Sequence, residues 1–201
     1  MTTAALILAA YFIGMFPSAV IVARASGVDI TTAGSGNPGA SNVTRVLGWK
    51  RGVVVFALDA AKGALSAGAG WAVVGLHVGY FCAAAATIGH MYPVLVRYGG
   101  RRLRGGKGVA TAGGAMFVLQ PIVAAVLLAT WFAVSRLTKK ASLASIVIIV
   151  LLPIGAAAFG APAWEIIAIV LLGAIVMLKH TANIKRLIRR QELTIGDKTE
   201  P

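Results

Sequence analysis

Four short stretches of this chain carry side chains able to handle anions or protons, set among long apolar runs. The first is Gly34-Ser35-Gly36-Asn37-Pro38-Gly39-Ala40-Ser41-Asn42, with Arg45 close behind. Three glycines permit backbone geometries in which several N–H groups point one way, a nest that binds an oxyanion. Ser35, Ser41 and Asn42 add neutral donors, and Arg45 adds a fixed positive charge. Ser41 or Asn42 could also cap a short helix and aim its N-terminus at the same anion. An ordinary Gly/Asn/Pro turn has the same composition; the arginine behind it is what favours anion binding.

The second stretch, Arg97 to Gly108, places Gly105 and Gly106 beside Lys107 at the start of an uncharged helix, again a setting for phosphate. It lacks the Walker A spacing, since Arg101 and Gly108 stand where Gly and Ser/Thr belong. Arg101, Arg102 and Arg104 read as a basic loop on anionic headgroups, Lys107 as part of a site. The third stretch is His180-Thr181-Ala182-Asn183. His180 and Asn183, three apart, share a helix face, and histidine is the side chain best poised for proton transfer near neutrality. An interfacial histidine with snorkelling Lys185 and Arg186 is the alternative. The fourth is Asp59 with Lys62, three apart in an apolar run. Charges within a membrane must pair, so they form a structural ion pair or the inner wall of a polar site. His90 alone reads as a buried, satisfied histidine, and Ser142 and Ser145 as helix-start serines. The few carboxylates, Glu192 among them, are scattered and cannot hold Mg²⁺ or Ca²⁺, and no His/Cys spacing suits Zn²⁺. Gly-x-Ser-x-Gly and His-x₄-Asp are absent. The inventory therefore anticipates two anionic substrates, no metal, no cofactor and no protein nucleophile.

The elements that must position these residues are membrane spans. Of 201 residues 58% are hydrophobic and 12% charged, and mean hydropathy is +0.85. Uncharged runs cover Ala4–Ala23, Gly63–Val96, Gly108–Ser135 and Ala141–Trp164, against about 20 apolar residues needed to cross a bilayer core. The net charge of +13 does not indicate nucleic acid, because the basic residues lie between the apolar runs, where they orient a polytopic protein and can attract anionic substrates. Cys82 is single, so an internal disulfide is excluded. The basic clusters are Arg24–Arg51, Arg97–Lys107, Arg136–Lys140 and Lys179–Lys198. If these are cytoplasmic, the N-terminus is outside and the C-terminus inside. Helices are expected at about 4–23, 53–75, 78–97, 108–118, 121–135, 141–160 and 163–181. The break at Gln120-Pro121 splits one run into two short crossings. This gives an all-α polytopic protein of about seven transmembrane helices, two of them short, or five spans with a re-entrant hairpin at 108–135. One membrane domain covers 1–192, followed by a polar cytoplasmic tail, 193–201.

In order along the chain, these motifs resemble those of the bacterial acyl-phosphate:glycerol-3-phosphate acyltransferases. Gly34–Asn42 with Arg45 resembles the first motif, preceded by Val28-Asp29-Ile30 and followed by Asp59 and Lys62-Gly63. Gly89-His90-Met91-Tyr92-Pro93 and Gly105-Gly106-Lys107-Gly108 look like the halves of the second, Ser142–Ser145 like a stretch between motifs, and His180-x-x-Asn183-Ile184-x-Arg186-Leu187 like the third. Ser41 stands where the family usually has Thr, Gln191 replaces a small or polar residue, and about four extra residues lie within Gly99–Arg104.

The resemblance implies transfer of a fatty acyl group from acyl phosphate to the 1-hydroxyl of glycerol 3-phosphate, giving lysophosphatidic acid and phosphate, without acyl-CoA or acyl carrier protein. It implies the cytoplasmic face of a bacterial inner membrane and functional coupling to a soluble enzyme that makes acyl phosphate; it says nothing of oligomeric state. Carried onto this sequence, Gly34, Ser35, Gly36, Asn37, Ser41 and Asn42 cradle a phosphate, and Arg45, Gly105, Gly106, Lys107 and Ser142 bind phosphate. His180 and Asn183 orient glycerol 3-phosphate. Either His180 or a substrate phosphate oxygen takes the hydroxyl proton. Two other classes compete: a small organic-anion transporter, for which the outer connections offer few polar groups, and a lipid-binding scaffold, which has no need of His180 beside Asn183.

Overall fold

A computed structural model describes residues 1–195; of the expected polar tail 193–201, residues 196–201 lie outside the described residues. The chain divides into two compact units, Met1–Leu119 and a second that begins at Gln120. Apart from one tiny ribbon, the regular secondary structure among the described residues of both is helical.

The first unit contains α1 (Thr2–Gly14), α2 (Ser18–Arg24), α3 (Ala40–Leu47), α4 (Trp49–Val73), α5 (Leu76–Met91) and α6 (Val109–Leu119), with strands β1 (Arg97–Tyr98) and β2 (Arg101–Arg102) between α5 and α6. The expected helix 4–23 is broken at Met15–Pro17, because Pro17 cannot donate to the helix ladder. The expected helix 78–97 ends early, at Met91, ahead of Pro93, which disfavours helical geometry in the residue before it. These helices approach closely through small residues, as helices in lipid do. A Cβ on Gly14 would strike the Ala86 carbonyl, one on Gly63 the Thr111 carbonyl, and one on Gly114 the Ala60 carbonyl. Ala10, Val78, Cys82 and Ala86 fill the seam between α1 and α5.

The second unit contains α7 (Pro121–Thr138), α8 (Ala141–Ala158), α9 (Ala163–Leu178) and α10 (Thr181–Ile188). Pro121 occupies the first turn of α7, where its missing N–H costs nothing, so the break at Gln120 falls where the sequence places it. The Trp131 indole donates to Ser145 Oγ at 3.1 Å, and Gln120 Nε2 donates to Glu165 Oε2 at 2.6 Å. The last expected helix, 163–181, stops at Leu178; the chain then turns by 64° into α10.

Among the described residues, four helical segments are long and apolar enough to cross a membrane: Thr2–Arg24, α4, α7 and α8; α9 with α10 makes a fifth if that bent pair counts as one. Helix α5 has 16 residues and α6 has 11, below the roughly 20 of a perpendicular span.

Candidate active site

In the first unit, the glycine loop is folded largely by Asn42. Its Nδ2 donates to the carbonyls of Ile30 and Ala33, at 3.4 and 3.0 Å. Its Oδ1 accepts from the Ser35 N–H at 2.9 Å and from Arg45 Nη1 at 3.4 Å. All four valences of the amide are filled inside a buried pocket. This corrects the sequence reading: Asn42 shapes the loop and has no donor left for a substrate. The nest is also smaller than expected. The Gly36 N–H bonds to the Ala33 carbonyl and the Gly39 N–H to the Asn37 carbonyl, so the loop consumes these donors itself. Gly34 and Gly36 take φ of 60° and 66°, the left-handed geometry their spacing anticipates. A short helix does follow, but α3 has Gly39 as its N-cap and no side-chain cap, so neither Ser41 nor Asn42 caps it. Ser35 and Ser41 remain exposed, and Arg45 is buried on α3.

The structure brings the first loop together with both halves of the second motif. A Cβ on Gly106 would meet His90 Nε2 and the Pro38 carbonyl, and one on Gly105 the His90 and Met91 carbonyls. Glycine at both positions is therefore a condition of three segments meeting. Lys107 follows immediately and is half-buried, two residues before α6. His90 is not isolated: its Nδ1 lies 3.1 Å from Lys62 Nζ and 3.6 Å from Asp59 Oδ1. Lys62 Nζ lies 2.8 Å from Asp59 Oδ1, and it also donates to the carbonyls of Phe16 and Gly14, at 2.9 and 3.3 Å. Both carbonyls lie at the break before Pro17, where that of Phe16 also accepts the Ser18 N–H at 3.0 Å. Of the two readings left open for Asp59 and Lys62, the structural one thus gains a concrete content, because the ammonium repairs a helix break. Asp59 and His90 also line a cavity of about 20 Å³ shared with Ser18, Pro38, Gly105 and Gly106, room for about one water.

In the second unit, the centre is a residue the sequence reading left unassigned. Glu192 Oε1 accepts from Ser142 Oγ at 2.7 Å and from Asn183 Nδ2 at 2.6 Å, while Oε2 accepts from Arg186 Nε at 2.8 Å. Burial alone would raise this carboxyl's pKa; the hydrogen bonds from Arg186, Ser142 and Asn183, with the Arg186 charge, outweigh it and hold the group below its ordinary value. The available signal was an acid just behind the basic run Lys185–Arg190, nine positions after Asn183. Ser142, expected on phosphate, gives its only proton to this carboxylate, a neighbour that repels a phosphate.

His180 is the N-cap of α10, at the bend after α9, and Asn183 sits in the first turn. His180 is 1% exposed, and its Nδ1 lies 2.9 Å from the Val176 carbonyl. A carbonyl only accepts, so Nδ1 carries the proton and, in the neutral ring, Nε2 is the basic nitrogen. Asn183 is buried, and its Oδ1 has no partner among the described residues. Glu192 fixes the amide's donor end and leaves that acceptor to face something else. Among the described residues, no three His, Cys, Asp or Glu side chains cluster in a way that could hold a metal ion.

A sequence profile for glycerol-3-phosphate acyltransferase matches residues 4–190, running through both units. The chain is 43% identical over 210 aligned positions to the glycerol-3-phosphate acyltransferase of Myxococcus xanthus, covering 94% of this chain and 98% of that one. It is 39% identical to the Bacillus velezensis enzyme of that name, covering 96% and 97%. Among solved structures, PlsY (YgiH), an integral membrane glycerol 3-phosphate acyltransferase, superposes with a TM-score of 0.90 in its glycerol 3-phosphate form and 0.88 in its lysophosphatidic acid form. Both share 36% identity with this chain; the first covers 98% of it and 96% of PlsY. With a family profile over residues 4–190 and relatives of this identity over nearly the whole chain, the chain belongs to the glycerol-3-phosphate acyltransferase family and is a multi-pass membrane acyltransferase.

Proposed function

We propose that this enzyme takes its acyl group from acyl phosphate and passes it to the 1-hydroxyl of glycerol 3-phosphate, releasing phosphate and lysophosphatidic acid. The observation that carries the acceptor half of this reading is the His180–Asn183 pair: a basic Nε2 fixed by the bond at Nδ1, and a buried amide oxygen with no partner among the described residues. Such a pair suits an alcohol, whose proton needs an acceptor and whose oxygen needs orienting. The hydroxyl oxygen attacks the acyl carbonyl carbon, the bond from that carbon to the phosphate oxygen breaks, and the phosphate leaves with its electron pair. The alcohol proton goes to His180 Nε2 or to a phosphate oxygen. An acyl phosphate is already a mixed anhydride, so no acyl-enzyme is needed. Alignment supplies about 7–11 kcal/mol of such a barrier and a single oxyanion donor about 3–4.

Arg45 and Lys107 neutralise phosphate charge, with Ser35, Asn37, Ser41 and the backbone of Gly34, Gly36, Gly105 and Gly106 shaping the phosphate-binding loops. Asn42 and Ser142 position neighbouring groups. We further infer about seven crossings, with the short α5 and α6 each counted as one, an outer N-terminus, and an active site on the cytoplasmic face of the bacterial inner membrane; the side-to-side asymmetry of Lys and Arg supports this. The test is a reaction in detergent or lipidic mesophase without added metal. Palmitoyl phosphate and palmitoyl-CoA are offered as parallel donors with glycerol 3-phosphate, and phosphate and lysophosphatidic acid are followed. Matched release of both products from palmitoyl phosphate alone is expected. Equal use of palmitoyl-CoA overturns the donor assignment.

A further inference from the structure

The arginine-rich ribbon between α5 and α6 takes no part in the proposed reaction. Strands β1 and β2 pair antiparallel, with Arg97 opposite Arg102 and Tyr98 opposite Arg101. Between them Gly99 and Gly100 have φ of 56° and 77°, the two positive values that a type I′ hairpin turn requires. The extra residues of this loop are therefore a built hairpin with two unlike faces. Tyr98 and Leu103 pack against the buried core around Val43 and Val55, and the Leu103 N–H donates to the Val96 carbonyl at 2.9 Å. Arg97, Arg101, Arg102 and Arg104 are all exposed.

Like charges facing each other across an antiparallel pair repel. The sequence has no Asp or Glu between Asp59 and Glu165, and among the described residues no carboxylate pairs with any of the four arginines. Strands of two residues have little pairing energy of their own to offset that repulsion. Among the described residues nothing neutralises this face, which leaves it open to anions from outside the chain. Immediately before it, Val94 and Leu95 are 46% and 68% exposed. An apolar step beside a multivalent cationic face matches the boundary between acyl chains and headgroups. A free phosphate would satisfy the arginines and leave Val94 and Leu95 in water.

We propose that this ribbon is a docking surface for anionic phospholipid headgroups of the surrounding bilayer, its guanidinium groups on lipid phosphates and Leu95 and Val94 set beside them among the chains. The test uses purified whole protein in neutral detergent, exposed to equal amounts of phosphatidylglycerol and phosphatidylcholine, with retained lipid counted by native mass spectrometry. Wild type should retain phosphatidylglycerol preferentially. Replacing all four arginines (Arg97→Gln, Arg101→Gln, Arg102→Gln, Arg104→Gln) should lower that preference by at least about fivefold, the contribution of a single basic group near an anionic surface taken as the floor. Thermal unfolding checks that the variant is folded. If it is not, the double change Arg101→Gln with Arg102→Gln at the ribbon's tip replaces it, and a loss of at least about fivefold is again expected. An undiminished preference in a folded variant overturns the proposal. Displacement of the lipid by millimolar inorganic phosphate overturns it as well, because the surface would then be a free-phosphate site.

Discussion

Each unit holds a small, largely buried network built around one carboxylate, and the two use their valences differently. In the first, Lys62 spends its protons on the Phe16 and Gly14 carbonyls and on His90, with Asp59 as counter-charge. In the second, Glu192 gathers Ser142, Asn183 and Arg186, yet Asn183 keeps a buried oxygen without a partner among the described residues. The first is anchored on the backbone and repairs the break at Pro17, although Ser18 Oγ, in the same cavity as Asp59 and His90, likewise has no hydrogen-bond partner among the described residues. The second holds an amide rigid and leaves its oxygen without a partner among the described residues. A buried polar cluster points to a ligand through what it leaves over, more than through its charge.

The comparison breaks most sharply at Lys62. Lys62→Met strands Asp59 in an apolar interior and frees two carbonyls, and removing one partner of a buried pair costs about 3–5 kcal/mol. Thermal unfolding in detergent should show a large loss of stability. Adding Asp59→Asn to Lys62→Met should recover part of it, since no uncompensated charge then remains. A Lys62→Met protein that unfolds like wild type would remove the architectural reading.

The opposite profile is expected at His180. His180→Gln should leave the unfolding temperature close to wild type and lower turnover by at least about a hundredfold, the range of a lost general base. A loss under about tenfold rejects that role and passes the proton to a substrate phosphate oxygen.

The residues proposed for the site were legible by type in apolar surroundings: glycines, Arg45, Lys107, His180 and Asn183 stand out. The break at Gln120-Pro121 was equally plain. What the sequence concealed was direction. Asn42 read as an outward donor, and it turns inward because Ile30 and Ala33 present carbonyls that only the fold brings near. Glu192 went unassigned because its role depends on the chain doubling back after α10, where the Gln191 N–H bonds to the Arg186 carbonyl and Arg190 takes a φ of 57°. The ribbon was missed because arginines are poor strand signals; the adjacent glycines Gly99 and Gly100 held the clue.

Acid should separate the two networks further. Glu192 titrates below its ordinary pKa of 4.5 in the folded protein. Its stabilising contribution is therefore complete above that value and disappears as pH falls through the lower folded one. Arg186 is about one-third exposed, so solvent screens its share and Glu192→Gln should cost about 1–2 kcal/mol at neutral pH. Unfolding temperatures of wild type and variant, measured from neutral pH downward, should converge below pH 4.5. A gap that stays constant would mean the carboxylate's charge contributes nothing.

The smallest effect discriminates most finely. Ser142 can serve phosphate, as its place among the motifs implies, or it can serve Glu192, as its 2.7 Å hydrogen bond indicates. Its single proton cannot do both. If it tethers Glu192, Ser142→Ala should lower stability by about 1 kcal/mol and raise KM for glycerol 3-phosphate only slightly, because Asn183 and Arg186 still hold the carboxylate. If it binds phosphate, stability should be unchanged and KM should rise by roughly tenfold, the cost of a hydrogen bond to a charged group. The tether is the expected outcome: a hydroxyl already committed to one anion offers a second only its lone pairs, and two anions around one serine repel.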